Sequence, residues 1–249
     1  MNPTRRLIVN ADDFGLSPGV NRGIVAAHER GIVTSASLIV RAPAADEAAA
    51  YARVHPRLSV GLHVDLGEWA FRGGAWVELY RVVDLEDDAA VEAEVARQLD
   101  RFRGLVGRDP THLDSHQHVH RRGAARRVVT AAGERLGVAV RHETPGVIHC
   151  GDFYGQDGEG HPYPHLISAD ALIAVLGRLR AGVTELGCHP GEAELPDTMY
   201  VAERADEVRT MCDLRVRRAV QSLGIELISF HDLPCPAPAG RGEGRRATP

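Results

Sequence analysis

Short runs of Val, Ile and Leu alternate along the chain with segments whose apolar residues recur every three or four positions, a pattern that predicts strands and helices in turn. Leu7 to Asn10 reads as a strand, "NRGIVAAHERG" as a helix stopped by Gly31, Val33 to Val40 as a strand and residues 44–54 as an Ala-rich helix. Leu58 to His63 follows as a third strand. The clearest helix is 88–106, where Val91, Val95, Leu99, Phe102 and Val106 keep helical spacing. A strand from Thr111 to about His118, a helix at 122–136 and a strand from Val138 to Arg141 come next. A helix at 169–181, a strand at 184–188, a helix at 203–223 and a strand at 225–229 complete the series. Strands alternating with helices imply a parallel sheet with right-handed crossovers. The chain is therefore expected to be α/β, a seven-stranded (β/α) barrel or near-barrel forming a single domain over residues 1–233. The Pro/Gly-rich end, 234–249, is expected to be a disordered tail. Two segments, 64–87 and 149–165, break the rhythm and read as long loops rich in aromatics, with Trp69, Phe71, Trp76 and Tyr80 in the first and Phe153 and Tyr154 in the second.

Polar residues fall at the strands' carboxyl ends, the face on which parallel barrels gather their sites. Asp12 and Asp13 follow the first strand, His63 ends the third, and "HLDSHQHVH" (112–120) ends the fourth. Arg141 and His142, His189, and His231 with Asp232 end the last three. If the histidine run is extended, His112, Asp114, His116, His118 and His120 share one face, and a row of inward imidazoles calls for a partner such as a metal ion. A divalent ion held by one carboxylate and two imidazoles, with positions left for water and substrate, is a common hydrolytic arrangement. Asp12 and Asp13, adjacent on an extended strand, would point apart, leaving one to ligate and one to act as a base. His116, nearest the strand body, is the best placed ligand of its run, whereas His112 at the strand's start reads as structural.

Composition narrows the partners. The net charge of −5 with dispersed basic residues implies neither nucleic acid nor an anionic membrane surface. No apolar stretch reaches 18 residues and the opening apolar run is too short for a signal segment. The four cysteines are widely spaced, as in a reducing compartment, so a cytoplasmic protein is expected. Exposed helices leave room for a homodimer, though no interface is identified.

Five stretches, "LIVNADDFGLSPGVNRGI", "GIVTSASLIV", "VGLHVDL", "PTHLDSHQHVH" and "LGCHPG", together and in this order resemble the YdjC-like carbohydrate deacetylases. That family contains diacetylchitooligosaccharide deacetylases and hopanoid-biosynthesis-associated deacetylases, and the resemblance runs from Arg6 to about His231. It implies a distorted (β/α) barrel related in layout to polysaccharide deacetylases and one divalent ion. It also implies hydrolysis of the N-acetyl group of an acetylated amino sugar, oligosaccharide or glycoconjugate to acetate and a free amine. The implied ligands are Asp13, His63 and His116, with Asp12 as base and His189, as imidazolium, protonating the leaving amine. Arg141 is placed to hold Asp12 ionised. Family members are commonly assigned magnesium, while an Asp-His-His set also suits zinc, manganese, cobalt or nickel. Trp69, Trp76, Phe153, Tyr154 and His118 are candidates for lining the sugar site, but "VDLGEWAFRGGAW" departs from the chitooligosaccharide enzymes and leaves the sugar open. Two rivals are a phosphodiesterase whose second metal is held by Asp114, His118 and His120, and a sugar-binding module with the metal as a clip. The spare carboxylate at Asp12 argues against the second.

Overall fold

The computed structural model describes residues 4–192 and 198–234. Strand β1 (Arg5–Phe14) lies at the centre, followed by α1 (Pro18–Arg30), β2 (Ser35–Leu38), α2 (Ala45–Val54) and β3 (Ser59–Val64). A hairpin of β4 (Gly67–Arg72) and β5 (Ala75–Arg81) precedes α3 (Asp88–Val106), β6 (His112–Ser115), a 3-10 turn (His116–Arg121) and α4 (Gly123–Leu136). Then come β7 (Ala139–Val140), β8 (Val147–Cys150), a 3-10 turn (Pro164–Ile167), α5 (Ala169–Arg178) and β9 (Gly182–Cys188). The order ends with α6 (Ala202–Met211), α7 (Leu214–Ser222), β10 (Ile225–Ile228) and a short 3-10 turn (Phe230–Asp232). The sheet runs β7-β6-β3-β2-β1-β9-β8, with β10 paired to β1 and all pairings parallel. It curls into a barrel left open between β7 and β8, as expected of a distorted (β/α) barrel; β8 is an eighth strand beyond the predicted seven.

Local chemistry sets the element boundaries. Ser17 caps α1 by accepting from the Val20 amide, with Pro18 pre-set at the first turn. Asp87 caps α3, and Gly107, at φ 80°, ends it. The single helix predicted over 203–223 is two, because Asp213 caps a new helix by accepting from the Arg215 amide. The predicted loop 64–87 is largely an antiparallel hairpin, which turns at Gly73 and Gly74, both left-handed. The tail predicted to be disordered lies, from residue 235 onward, outside the described residues.

The strands divide their faces sharply. Outward residues such as Leu7, Val9, Ala36, Leu38, Val60, Leu62 and Leu113 join the helices in one apolar core. The positions alternating with them, Asn10, Asp12, Ser35, Ser37, His63, His112 and Asp114, are also buried, so the barrel interior is polar. Its floor is closed by Phe230, stacked on His112 at 3.8 Å between ring centroids. His112 is structural, as predicted: Ser37 Oγ lies 2.9 Å from Nε2 and Thr111 Oγ1 3.0 Å from Nδ1. Ser37 gives its own proton to Asp114 (2.7 Å), so Nε2 is the donor and the neutral ring is fully paired.

β10 pairs only with the first half of β1, Arg5 to Ile8, and so stops well below the barrel mouth. His231 and Asp232 therefore lie exposed near the floor, away from the other strand-end residues with which they were expected to group.

Two outcomes are expected. A Cβ at Gly61 would lie 2.4 to 2.5 Å from the His112 ring atoms, so Gly61→Ala should lower stability by about 1–3 kcal/mol in urea melts. Burial pushes His112 down from 6.5 to about 4. The unfolded chain then binds the extra proton first, so this contribution is complete above pH 6.5 and is lost as pH falls toward 4. A His112→Asn variant should show a shallower acid limb in pH-dependent melting, and an unchanged limb would contradict the assignment.

Candidate active site

The strand alternation predicted to separate Asp12 from Asp13 fails at Asp13, which takes a left-handed backbone (φ 67°) where the β1–β2 register slips between Ala11 and Phe14. Both carboxylates consequently reach the mouth. A different partner holds each of them. The Arg141 guanidinium grips Asp12 at both oxygens (Nη1–Oδ2 2.6 Å, Nη2–Oδ1 2.7 Å), while Asn10 donates to Asp12 Oδ1 at 2.8 Å. Arg204, from α6, donates to Asp13 Oδ2 at 2.6 Å, which leaves Oδ1 free toward the mouth.

Toward that free oxygen point His116 Nδ1 (3.2 Å) and His63 Nε2 (3.5 Å). Donor atoms of Asp13, His63 and His116 all lie within 4.8 Å of one another. The two measured spacings approach the edge of a tetrahedron with bonds of roughly 2.0–2.1 Å, about 3.3 Å. His63 is aimed by Asp114, whose Oδ1 accepts from Nδ1 at 2.7 Å, the carboxylate-histidine pairing that orients metal ligands. Burial disfavours charge on His63, yet Asp114, Asp13 and Asp12 outweigh it and raise its pKa to about 10. The pocket thus favours a positive charge at this point, which a cation could supply in place of the proton.

Arg141 is completely buried and also donates to Glu185 Oε1 (2.6 Å) and pairs with Asp114 Oδ2 (2.8 Å). Burial alone would raise Asp12; the guanidinium overrides it and holds that carboxyl well below the usual range. The grouping of Asp12, His63 and Asp114 is therefore already filled by a cation of the protein's own. His189 lies with Nε2 3.9 Å from Asp12 Oδ2, its backbone N–H donating to Glu207 Oε2 (2.5 Å). Burial pushes His189 down to about 4.

The histidine run is extended only to Ser115; a 3-10 turn follows, with Gln117 and His118 left-handed, so the expected common face ends there. His120 is spent on structure: its Nδ1 meets Ser115 Oγ (2.6 Å) and its Nε2 the Arg141 carbonyl (3.1 Å). With Asp114 held by Arg141, the trio Asp114, His118 and His120 does not form a second metal centre. Gln117 pairs with the Trp69 backbone at 2.9 and 2.7 Å and pins the hairpin over the mouth.

Asp12, Asp13, His63, His116, His118 and His189 line one cavity of about 990 Å³, together with Trp69, Trp76, Phe153 and Tyr154. Arg141 stands behind Asp12 rather than on the wall, and Phe153, 1% exposed, belongs mainly to the core. Arg204, Glu207, Glu185 and Glu68, whose Oε2 lies 3.9 Å from His116 Nε2 on the cavity wall, were missed by the sequence reading. Glu185 and Asp114 carry a detectable signal, a carboxylate at an inward strand position, whereas Arg204 and Glu207 sit on a helix face that shows no apolar stripe to mark it as buried.

Comparison with known proteins gives a consistent picture. Residues 6–222 match the family described as YdjC-like protein. A carbohydrate deacetylase of Geobacillus stearothermophilus is 35% identical over 256 residues, covering 92% of this chain and 98% of that protein. A solved Enterococcus faecalis structure, assigned provisionally to cellobiose-phosphate cleavage, superposes with a TM-score of 0.71 at 25% identity, covering 92% of this chain and 98% of that one. A family 4 carbohydrate esterase of Streptomyces lividans, solved with acetate, shares the fold (TM-score 0.56, 16% identity, 95% and 100% coverage). Among the described residues no helix is long and apolar enough to cross a membrane.

Arg141→Met should cost about 3–5 kcal/mol in chemical denaturation, since it leaves three buried carboxylates without their cation. Arg141→Lys, which keeps the charge but not the fork, should fall between. A Met variant as stable as the parent would show that the hub is not needed for folding.

Proposed function

Because the chain belongs to the YdjC-like family, we propose that it is a metal-dependent carbohydrate deacetylase that hydrolyses the N-acetyl group of an amino sugar. The observation that carries this reading is the convergence of Asp13, His63 and His116 beside an Arg-clamped Asp12 and His189 at one wall of a sugar-sized cavity. Asp13 Oδ1, His63 Nε2 and His116 Nδ1 would hold the ion, with Arg204 and Asp114 fixing the orientation of the first two. A divalent cation there would supply Lewis acidity, polarising the acetamide carbonyl and lowering the pKa of water. Two nitrogens and one oxygen suit zinc or a similar ion, and magnesium is the alternative.

Arg141 occupies both oxygens of Asp12, so this carboxylate stays ionised but is only a weak base. Burial lowers His189 to about 4, so the ring starts neutral and would take up during the reaction the proton that the imidazolium delivers. In our reading the proton leaving the attacking water passes to the Asp12–His189 pair. His189 then delivers it to the nitrogen as the C–N bond breaks, giving acetate and the free amine. Trp69, Trp76 and Tyr154 present rings to the cavity for the sugar's apolar face, and Tyr154 also packs edge-on to His189 at 5.6 Å. His118 lines the same wall. The substrate is an N-acetylated amino sugar or glycoconjugate small enough for this space, and the cysteine spacing supports a cytoplasmic setting.

Acetate release and bound metal, measured together on N-acetylated oligosaccharides, test the roles. His116→Ala should lose acetate release together with the metal equivalent held by Asp13, His63 and His116. Asp12→Asn should keep the ion while turnover drops by about 10²–10⁴. Full activity in either variant would overturn the assignment.

A further inference from the structure

Beyond the proposed metal ligands Asp13, His63 and His116, a second set of side chains converges. His118 follows β6, His142 follows β7 and His149 lies in β8, so three separate segments bring three imidazoles together at the sheet's open seam. Their ring centroids are 5.2 Å (118–142), 5.4 Å (118–149) and 4.5 Å (142–149) apart, all at steep interplanar angles, and their donor atoms lie within 4.8 Å of one another.

Two further observations point to a ligand. The Nδ1 atom of His118 is buried and has no hydrogen-bond partner in the protein. The His149 side chain is only 10% exposed, and its Nδ1 faces Glu185 Oε2 at 3.7 Å. Buried polar atoms in this state are costly unless something satisfies them. In addition, the described non-glycine residues with left-handed backbone are Asp13, Gln117, His118 and His142. Each costs conformational energy, and two of the four carry rings of this cluster.

We propose that His118, His142 and His149 form a second cation site that takes zinc or a comparable transition ion. An all-imidazole set favours zinc, copper, nickel or cobalt and discriminates against magnesium, which prefers oxygen donors. Glu185 stands behind His149 as the carboxylate partner that ligating histidines usually have. Three protein ligands leave a fourth position, and His118 and His149 both line the substrate cavity. The site shares no residue with Asp13, His63 and His116, so it is not the bridged pair of a two-metal hydrolase.

Full-length protein, stripped with chelator and dialysed against zinc, should retain about two equivalents per chain by elemental analysis. His142→Ala, altering an exposed side chain, and the double variant His142→Ala/His149→Ala should each retain about one. Their zinc affinity at the lost site should fall by more than the roughly 100-fold expected for losing only an outer partner. His63→Ala should keep the other equivalent, with an X-ray absorption signature of three imidazole nitrogens. A double variant that binds as much zinc as the parent, or an oxygen-dominated shell in His63→Ala, would overturn the proposal. The counts rest on zinc also filling the site at Asp13, His63 and His116, whereas the drop of one equivalent on going from parent to double variant and the His63→Ala absorption signature read His118, His142 and His149 by themselves.

Discussion

A guanidinium inside a barrel is the constraint on which the rest of this structure depends. Asp12 from β1, Asp114 from β6 and Glu185 from β9 project into the same buried interior, and three carboxylates there would repel one another and resist ionisation. Arg141, just past β7, meets all three at 2.6 to 2.8 Å. Such a network gains little stability over an apolar filling, because desolvating four charges offsets most of their attraction. What it supplies is position, since each strand is tied to the others through one planar fork with fixed donor directions.

The site's geometry follows outward from that hub. Asp114, bound to Arg141, has one oxygen left for His63 Nδ1, and this turns His63 Nε2 toward Asp13. Asp12, held from behind at both oxygens, is kept ionised and faces His189. Asp13 repeats the scheme with a second arginine, Arg204, which takes one oxygen and leaves the other toward His63 and His116. Neighbouring carboxylates are thus given separate environments by separate cations. That separation, rather than strand alternation, is what the proposed division into one metal ligand and one proton acceptor requires.

The mouth is built from backbone that helices and strands avoid. Asp13, Gln117, His118 and His142 are left-handed without being glycine, and all lie where a strand hands over to a loop. Strain of this kind persists only where surrounding contacts over-determine it. Here they do: the Asp13–Arg204 pair, the clasp between Gln117 and the Trp69 backbone, and His120 wedged between Ser115 and the Arg141 carbonyl. The hairpin held by Gln117 places Trp69 and Trp76 on the cavity wall.

Much of this was legible in the sequence because it is local. Apolar periodicity located the core helices, the alternation of strands and helices indicated a parallel barrel, and the gathering of Asp and His residues at strand ends marked the mouth. The family resemblance carried by "NADDFG", "GLH" and "LDSH" singled out Asp13, His63 and His116, which the fold brings together. What stayed hidden depends on φ angles and distant partners. Strand alternation could not foresee the left-handed turns at Asp13 and Gln117, and hydropathy could not show that an aromatic loop is a hairpin. The short pairing of β10, which strands His231 and Asp232 near the floor, is a register decided by the sheet. Nor could any window of residues reveal that Arg204, on a helix with a buried charged face, would reach across 191 positions to Asp13. The sequence alone determined which side chains were available and in what order the barrel presents them. The tertiary structure decided which cation each buried carboxylate would meet, because a charge removed from water takes whatever partner the packing brings within reach.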